Sequence, residues 1–125
     1  MATRNSILVV DDDPSMRASI MRLLRVHGFS AILFESATDI LRHDDFETAF
    51  GMIMDIDLNG ECGIEVCHNL AERGITLPVI FITGNDSAEV RAAAMKEAGC
   101  IAYLTKPFPA PSLIGSVERA RGAAI

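Results

Sequence analysis

Apolar residues along the chain fall into two alternating kinds of stretch. Ser6–Val10 (SILVV), Ser30–Phe34 (SAILF), Met52–Met54, Pro78–Thr83 (PVIFIT) and Ile101–Leu104 are short apolar runs bounded by turn residues, and they predict five strands. Between them the apolar residues recur at helical spacing. Met16, Ile20, Leu23, Leu24 and His27 share one face of a helix that opens at Asp13-Pro14 and stops at Gly28. Ser36 with Asp39 has the spacing of a capping box and opens a short helix towards Arg42. A polar connection, His43 to Thr48, follows. Ile64, Cys67, Leu70 and Ala71 make the stripe of a third helix, stopped by Gly74. Asp86 with Glu89 starts a fourth, with Val90, Ala93, Ala94 and Ala98 as its buried stripe and Gly99 as its stop. A last helix is expected from Ser112 to Arg121.

Five strands alternating with five helices give an α/β fold of the (βα)₅ kind. Val9–Val10, Ile53–Met54 and Ile80–Phe81 are apolar on both faces, as parallel strands covered by helices on both sides must be. In an open sheet of this kind the site lies beyond the carboxyl ends of the strands. Asp11, Asp12 and Asp13 stand there after the first strand, Asp55 and Asp57 after the third, Thr83 at the end of the fourth and Lys106 after the fifth. Glu35 ends the second strand, at the expected sheet edge.

Composition adds limits. At 125 residues the chain has room for one domain with a real core. The net charge of −6 argues against direct binding to nucleic acid or to an anionic membrane surface. No apolar run approaches the ~20 residues that cross a bilayer. The N-terminus turns acidic directly after a short apolar run, so no signal peptide is expected. Cys62, Cys67 and Cys100 form no Cys-x-x-Cys pair, and they read as reduced, core-filling thiols of a cytoplasmic protein. His27, His43 and His68 lack ligand spacing and read as surface or helix-end residues.

The stretch Met52–Gly63 (MIMDIDLNGECG) carries the chemistry. A buried strand that ends in a carboxylate needs positive charge nearby. Acids from two neighbouring strands repel one another unless a cation lies between them. An all-oxygen ligand set without His or Cys selects a hard ion, and a few carboxylates plus waters suit magnesium. Lys106 supplies a point charge and Thr83 a hydroxyl donor. Together they make a site for a phosphoryl group with a carboxylate as nucleophile.

These residues match a known family. Ile7–Arg17 (ILVVDDDPSMR), Met52–Glu65 (MIMDIDLNGECGIE), Pro78–Gly84 (PVIFITG) and Ala98–Phe108 (AGCIAYLTKPF), in this order and spacing, resemble a bacterial two-component response-regulator receiver domain. The resemblance covers nearly the whole chain. It implies one receiver domain over residues 1–125, a doubly wound five-stranded parallel sheet of order 2-1-3-4-5, and a phosphorylation switch rather than an enzyme. Asp55 would accept a phosphoryl group from a sensor histidine kinase or phosphotransfer protein. Asp12, Asp11 through water, Asp55 and the backbone carbonyl of Asp57 would hold Mg2+ (or Mn2+). Thr83 would swing towards the aspartyl phosphate, Lys106 would pair with it, and Tyr103 would change rotamer. A cis bond at Lys106-Pro107 is expected. The surface of the fourth helix, fifth strand and fifth helix, with Arg91, Lys96, Glu97, Glu118 and Arg119, would bind an output partner or a second copy. The chain departs from the family where Leu58-Asn59 replaces the common Met-Pro, which implies a less rigid loop, and where Asp57 adds an acid. Asp57 and Asn85 are expected to tune the lifetime of the phosphate.

Plainer readings stand beside these. Asp13 is a helix-start acid favoured by the dipole, Tyr103 can be packing alone, and Arg17 is expected to pair with a surface carboxylate. Asp55-x-Asp57-x-Asn59-Gly60 fits the first half of a calcium EF-hand loop, but the twelfth position is Val66 and the loop follows a strand. The enzyme-class alternative is a haloacid-dehalogenase-like phosphatase, with Asp55 as nucleophile and Asp57 as general acid. That family carries its motif on a first strand, whereas here it lies on the third.

Overall fold

The computed structural model describes residues 4–123. Five strands, β1 (Ser6–Val10), β2 (Ser30–Phe34), β3 (Ala49–Asp55), β4 (Val79–Thr83) and β5 (Cys100–Thr105), form one parallel sheet in the order β2-β1-β3-β4-β5. Four helices connect them, α1 (Pro14–Val26), α2 (Ala37–Arg42), α3 (Gly63–Glu72) and α4 (Ala88–Lys96), and a fifth, α5 (Ala110–Ala123), follows β5. This is the α/β fold and strand order expected.

The alternation of side chains across each strand builds two cores. Ile7 and Val9 of β1, with Ile53, Ile80 and Ile82, face α1 and α5 through Ile20, Leu24, Leu113, Ile114 and Val117. Leu8 and Val10, with Met52, Met54 and Phe81, face the other way towards α2, α3 and α4. The three central strands are buried throughout apart from Ser6, while β5 at the sheet edge is only half-buried. The chain changes direction across the sheet between β1 and β3, so the carboxyl ends of these neighbours face a crevice.

Several boundaries differ from the sequence reading. β3 begins at Ala49, earlier than the apolar run shows, and includes Gly51, where a Cβ would press on the Pro78 carbonyl oxygen at 3.1 Å and on Ala120 Cβ at 3.3 Å. α4 is capped by Ser87, whose hydroxyl accepts from the Val90 N–H at 3.1 Å, rather than by Asp86. Its expected buried stripe reduces to Ala94, with Val90 half-buried, because α4 lies beside the edge strand and little covers it. α5 runs two residues further at each end than expected. Asp13 caps α1 and Ser36 caps α2 as read, each accepting from backbone N–H groups.

Beyond β3 the chain forms a small antiparallel hairpin that pairs Asp57–Leu58 with Glu61–Cys62. Its two-residue turn is Asn59-Gly60, with φ of 46° and 87°. Two successive positive φ angles are what a tight Asn-Gly hairpin turn needs. The loop therefore holds a defined turn where looseness is the expectation from sequence.

Candidate phosphoryl-acceptor site

Asp55 is the last residue of β3 and is 2% exposed. Its Oδ1 accepts from the Asp57 N–H at 2.9 Å, and its Oδ2 accepts from Lys106 Nζ at 3.1 Å. Asp11 follows β1, is fully buried, and accepts from the same ammonium at 3.1 Å through Oδ2 and from the Asp13 N–H at 2.9 Å through Oδ1. Lys106 follows β5 and reaches back across the sheet ends to both acids. The Lys106-Pro107 bond is cis, as expected.

Asp11, Asp12 and Asp55 each offer an oxygen, and these oxygens lie within 4.8 Å of one another. One ammonium cannot neutralise three carboxylates. The excess negative charge and the all-oxygen donors fit a hard divalent cation, so the residues present suit the metal that the resemblance implies.

Burial drives the Asp55 carboxyl up to about 6. The Asp57 N–H bond works against this rise, the nearby Asp11 charge adds to it, and Lys106 opposes it. Burial alone would lower Lys106, yet the bonds to Asp11 and Asp55 outweigh it and raise the lysine above its usual range.

Thr83 ends β4 and is fully buried. Its hydroxyl donates to Asp57 Oδ2 at 2.8 Å and accepts from the Asn85 N–H at 3.0 Å. Tyr103 on β5 is turned away from the acids. Its hydroxyl donates to Asp86 Oδ1 at 2.9 Å, and the Arg91 guanidinium lies 4.6 Å from the ring centroid and 3.1 Å from Asp86 Oδ2. The structure thus gathers Asp11, Asp12, Asp55 and Lys106 at one point, joins Thr83, Asp57 and Asn85 beside them, and leaves Tyr103 outside.

Three partnerships are not legible in the sequence. Asp86 holds Tyr103 across 17 residues, and Asp57 holds Thr83 across 26. Arg17 does approach a surface carboxylate, Glu35, at 3.9 Å, but its shorter bond is a 2.7 Å donation to the Asp11 carbonyl oxygen. One expectation needs correction. Glu97, expected on the output surface, has a side chain only 13% exposed that turns to His68 of α3 at 3.6 Å. His43 is a helix-end residue, as one of its two readings has it: it is the C-cap of α2, and its ring lies half-buried between Phe34 and Phe46. Cys62, Cys67 and Cys100 are free thiols that join one core, as read, and burial pushes the Cys67 thiol up.

A family model described as the response regulator receiver domain matches residues 7–118. The chain belongs to the response regulator receiver domain family. Nodulation protein W of Bradyrhizobium diazoefficiens is 34% identical over 119 residues, covering 95% of this chain and 52% of that protein. Response regulator protein TmoT of Ectopseudomonas mendocina is 36% identical over 115 residues, covering 91% and 51%. The chain spans about half the length of these curated relatives. A crystal structure of a response regulator receiver protein from Pseudoalteromonas atlantica superposes with a TM-score of 0.88 at 28% identity, over 96% of this chain and 99% of that one. The chain therefore carries a receiver domain of the two-component signalling kind, and nothing in these likenesses supports the phosphatase alternative. Among the described residues no helix is long and apolar enough to cross a membrane.

Proposed function

We propose that residues 1–125 act as a single receiver domain whose acceptor is Asp55. The observation that carries this is the buried Asp55 carboxylate, held 3.1 Å from Lys106 and clustered with Asp11 and Asp12 at the sheet's carboxyl edge. Asp11, Asp12, Asp55 and the Asp57 carbonyl would hold Mg2+ (or Mn2+), which when bound neutralises the oxygens of the transferred group.

An Asp55 oxygen attacks the phosphorus of a phosphohistidine on a sensor histidine kinase or phosphotransfer protein. A P–O bond forms, the P–N bond breaks, and its electron pair returns to the imidazole. Lys106 stays beside the acyl phosphate and offsets its charge. The Thr83 hydroxyl donates to a phosphoryl oxygen, and Tyr103 follows inward. Water later attacks the same phosphorus, releasing phosphate and restoring the carboxylate. The chain's own chemistry ends with this self-phosphorylation and self-dephosphorylation.

Asp57 and Asn85, both in contact with Thr83, set how long the phosphate lasts. The changed loop biases the surface of α4, β5 and α5, with Arg91, Lys96, Glu118 and Arg119, towards an output domain, an effector or a second copy. No direct nucleic-acid or membrane contact is part of this reading, which places the protein in the cytoplasm.

Intact mass after incubation with acetyl phosphate tests it. Wild type should gain one phosphoryl group only with magnesium, and Asp55→Asn should gain none. Gain of mass by Asp55→Asn at another residue would defeat the assignment.

A further inference from the structure

Thr83 has one hydroxyl proton, and in this structure that proton is already committed. It points to Asp57 Oδ2 at 2.8 Å, while the lone-pair side of the oxygen takes the Asn85 N–H at 3.0 Å. A threonine hydroxyl donates one hydrogen bond only. It cannot serve Asp57 and a phosphoryl oxygen together.

We infer that the Asp57 carboxylate is a positioning group that withholds the Thr83 hydroxyl from the acceptor site, and that it surrenders Thr83 only when a phosphoryl group on Asp55 competes for the same proton. The inference rests on the reading of Asp55 as acceptor and gives the lifetime role of Asp57 a mechanism.

The mounting of Asp57 suits this role. Its N–H is tied to Asp55 Oδ1 at 2.9 Å, so its backbone is registered to the acceptor itself. Its strand pairs with Cys62 through the tight Asn59-Gly60 turn, and the Gly63 N–H bonds the Ile56 carbonyl at 2.8 Å. The side chain is thus delivered to Thr83 from a fixed base. Asp57 is itself exposed, so water moderates the bond and the exchange is reversible. Release also has a consequence for the loop. When the Thr83 oxygen turns inward, the Asn85 N–H loses its acceptor, and the segment from Gly84 to the α4 cap at Ser87 must find a new arrangement.

A double-mutant cycle with two readouts tests this. The first is the NMR signal of the Thr83 methyl group in magnesium-free protein without phosphodonor. The second is the decay of the phosphoryl mass on Asp55 after acetyl phosphate is removed, with magnesium kept in the buffer. Asp57→Ala should move the Thr83 methyl from one rotamer to an averaged signal and lengthen the phosphate lifetime severalfold. Asp57→Asn, which keeps an acceptor but no charge, should fall between. In a Thr83→Ala background Asp57→Ala should leave the lifetime nearly unchanged, and a Thr83→Ser background should restore its effect. An unmoved methyl signal overturns the inference. So does an Asp57→Ala effect that survives in Thr83→Ala, since Asp57 would then act through its charge on the metal or phosphate. If wild type gains no phosphoryl mass, the acceptor reading fails instead, and the methyl signal still decides whether Asp57 holds Thr83.

Discussion

Lys106 places its ammonium 3.1 Å from Asp55 Oδ2 across 51 residues of sequence, and it holds Asp11 at the same distance. It is the cation that makes two buried acids tolerable before any metal arrives. Lys106→Ala should therefore leave both carboxylates uncompensated. Breaking a fully buried pair costs ~3–5 kcal/mol, and because Lys106 keeps 21% of its side chain exposed the expected loss at neutral pH is about 1–3 kcal/mol. Magnesium should return much of it, since a cation bound only to the folded state stabilises that state. Urea denaturation with and without magnesium measures both effects. A variant that magnesium stabilises no more than it does wild type would contradict this account.

Protonation of Asp55 provides a second check. Its folded-state value of about 6 lies above the ordinary 3.8, so the fold favours the protonated acid. That contribution is fully present below the unfolded value and is lost as pH rises through the folded one. In metal-free protein, Asp55→Asn should gain on wild type between pH values of about 4 and 6, then hold a constant difference above. The difference should be on the order of 1–2 kcal/mol, less than a full conversion of the shift because the introduced amide gives up the charge-assisted bond to the ammonium. A difference that does not change with pH would show that Asp55 does not titrate in this window.

Gly63 bears on the proposed acceptor, Asp55, through shape alone. A Cβ there would overlap the Asp55 carbonyl oxygen and come within 2.8 Å of Met54 Cγ. Neither the buried end of β3 nor the first turn of α3 has room to retreat. Gly63→Ala should destabilise by about 1–3 kcal/mol, and it should slow phosphorylation of Asp55 by displacing it. Gly60→Ala, where a Cβ meets nothing, should disturb only the turn through its φ of 87° and spare the acceptor rate. Urea denaturation and the rate of phosphoryl mass gain read the two variants side by side, and equal rates would free Gly63 of any role at the acceptor.

Arg17 ties the acidic loop to α1. Its guanidinium donates to the Asp11 carbonyl at 2.7 Å and is 16% exposed, whereas Glu35 lies at 3.9 Å and is 71% exposed. Arg17→Ala should cost about 1–2 kcal/mol and weaken magnesium binding measured by calorimetry. Glu35→Ala should cost no more than about 0.5 kcal/mol. Equal effects of the two would locate the stabilisation in the ion pair instead.

How much of this the sequence carries depends on the range of each interaction. β1, β3 and β4 are legible because they are buried on both faces and read as unbroken apolar runs. The acids at the strand ends are legible because strand ends converge in this topology. Ala49 to Gly51 is not, because a glycine required by close packing of α5 breaks the apolar signal. The cap of α4 shifts by one residue because Asp86 and Ser87 are equally suited to cap by composition. Glu97 lies outside the reach of pattern reading because helical spacing says nothing about how α4 ends against α3. Asp57, Arg17 and Asp86 are visible as charges, but their partners come from neighbouring elements and from loop geometry that no local pattern encodes.

Tyr103 offers a direct view of the proposed switch. It is the sole tyrosine, and the chain has no tryptophan, so tyrosine emission reports this position alone. The ring is held outward by the Asp86 carboxylate at 2.9 Å and by Arg91 over its face. These bonds hold the Asp86 carboxyl below its ordinary range, Tyr103 first and Arg91 second, while burial and the Asp86 bond raise the phenol. A carboxylate that accepts the phenol proton quenches emission. Asp86→Asn should therefore brighten the protein without any phosphodonor. Wild type should brighten when magnesium and beryllium fluoride, a phosphoryl mimic, are added, because inward movement of Tyr103 breaks the same bond. In Asp86→Asn that second change should be small. Emission that stays constant in wild type through full occupancy of Asp55 would mean that Tyr103 remains with Asp86 and takes no part in the switch.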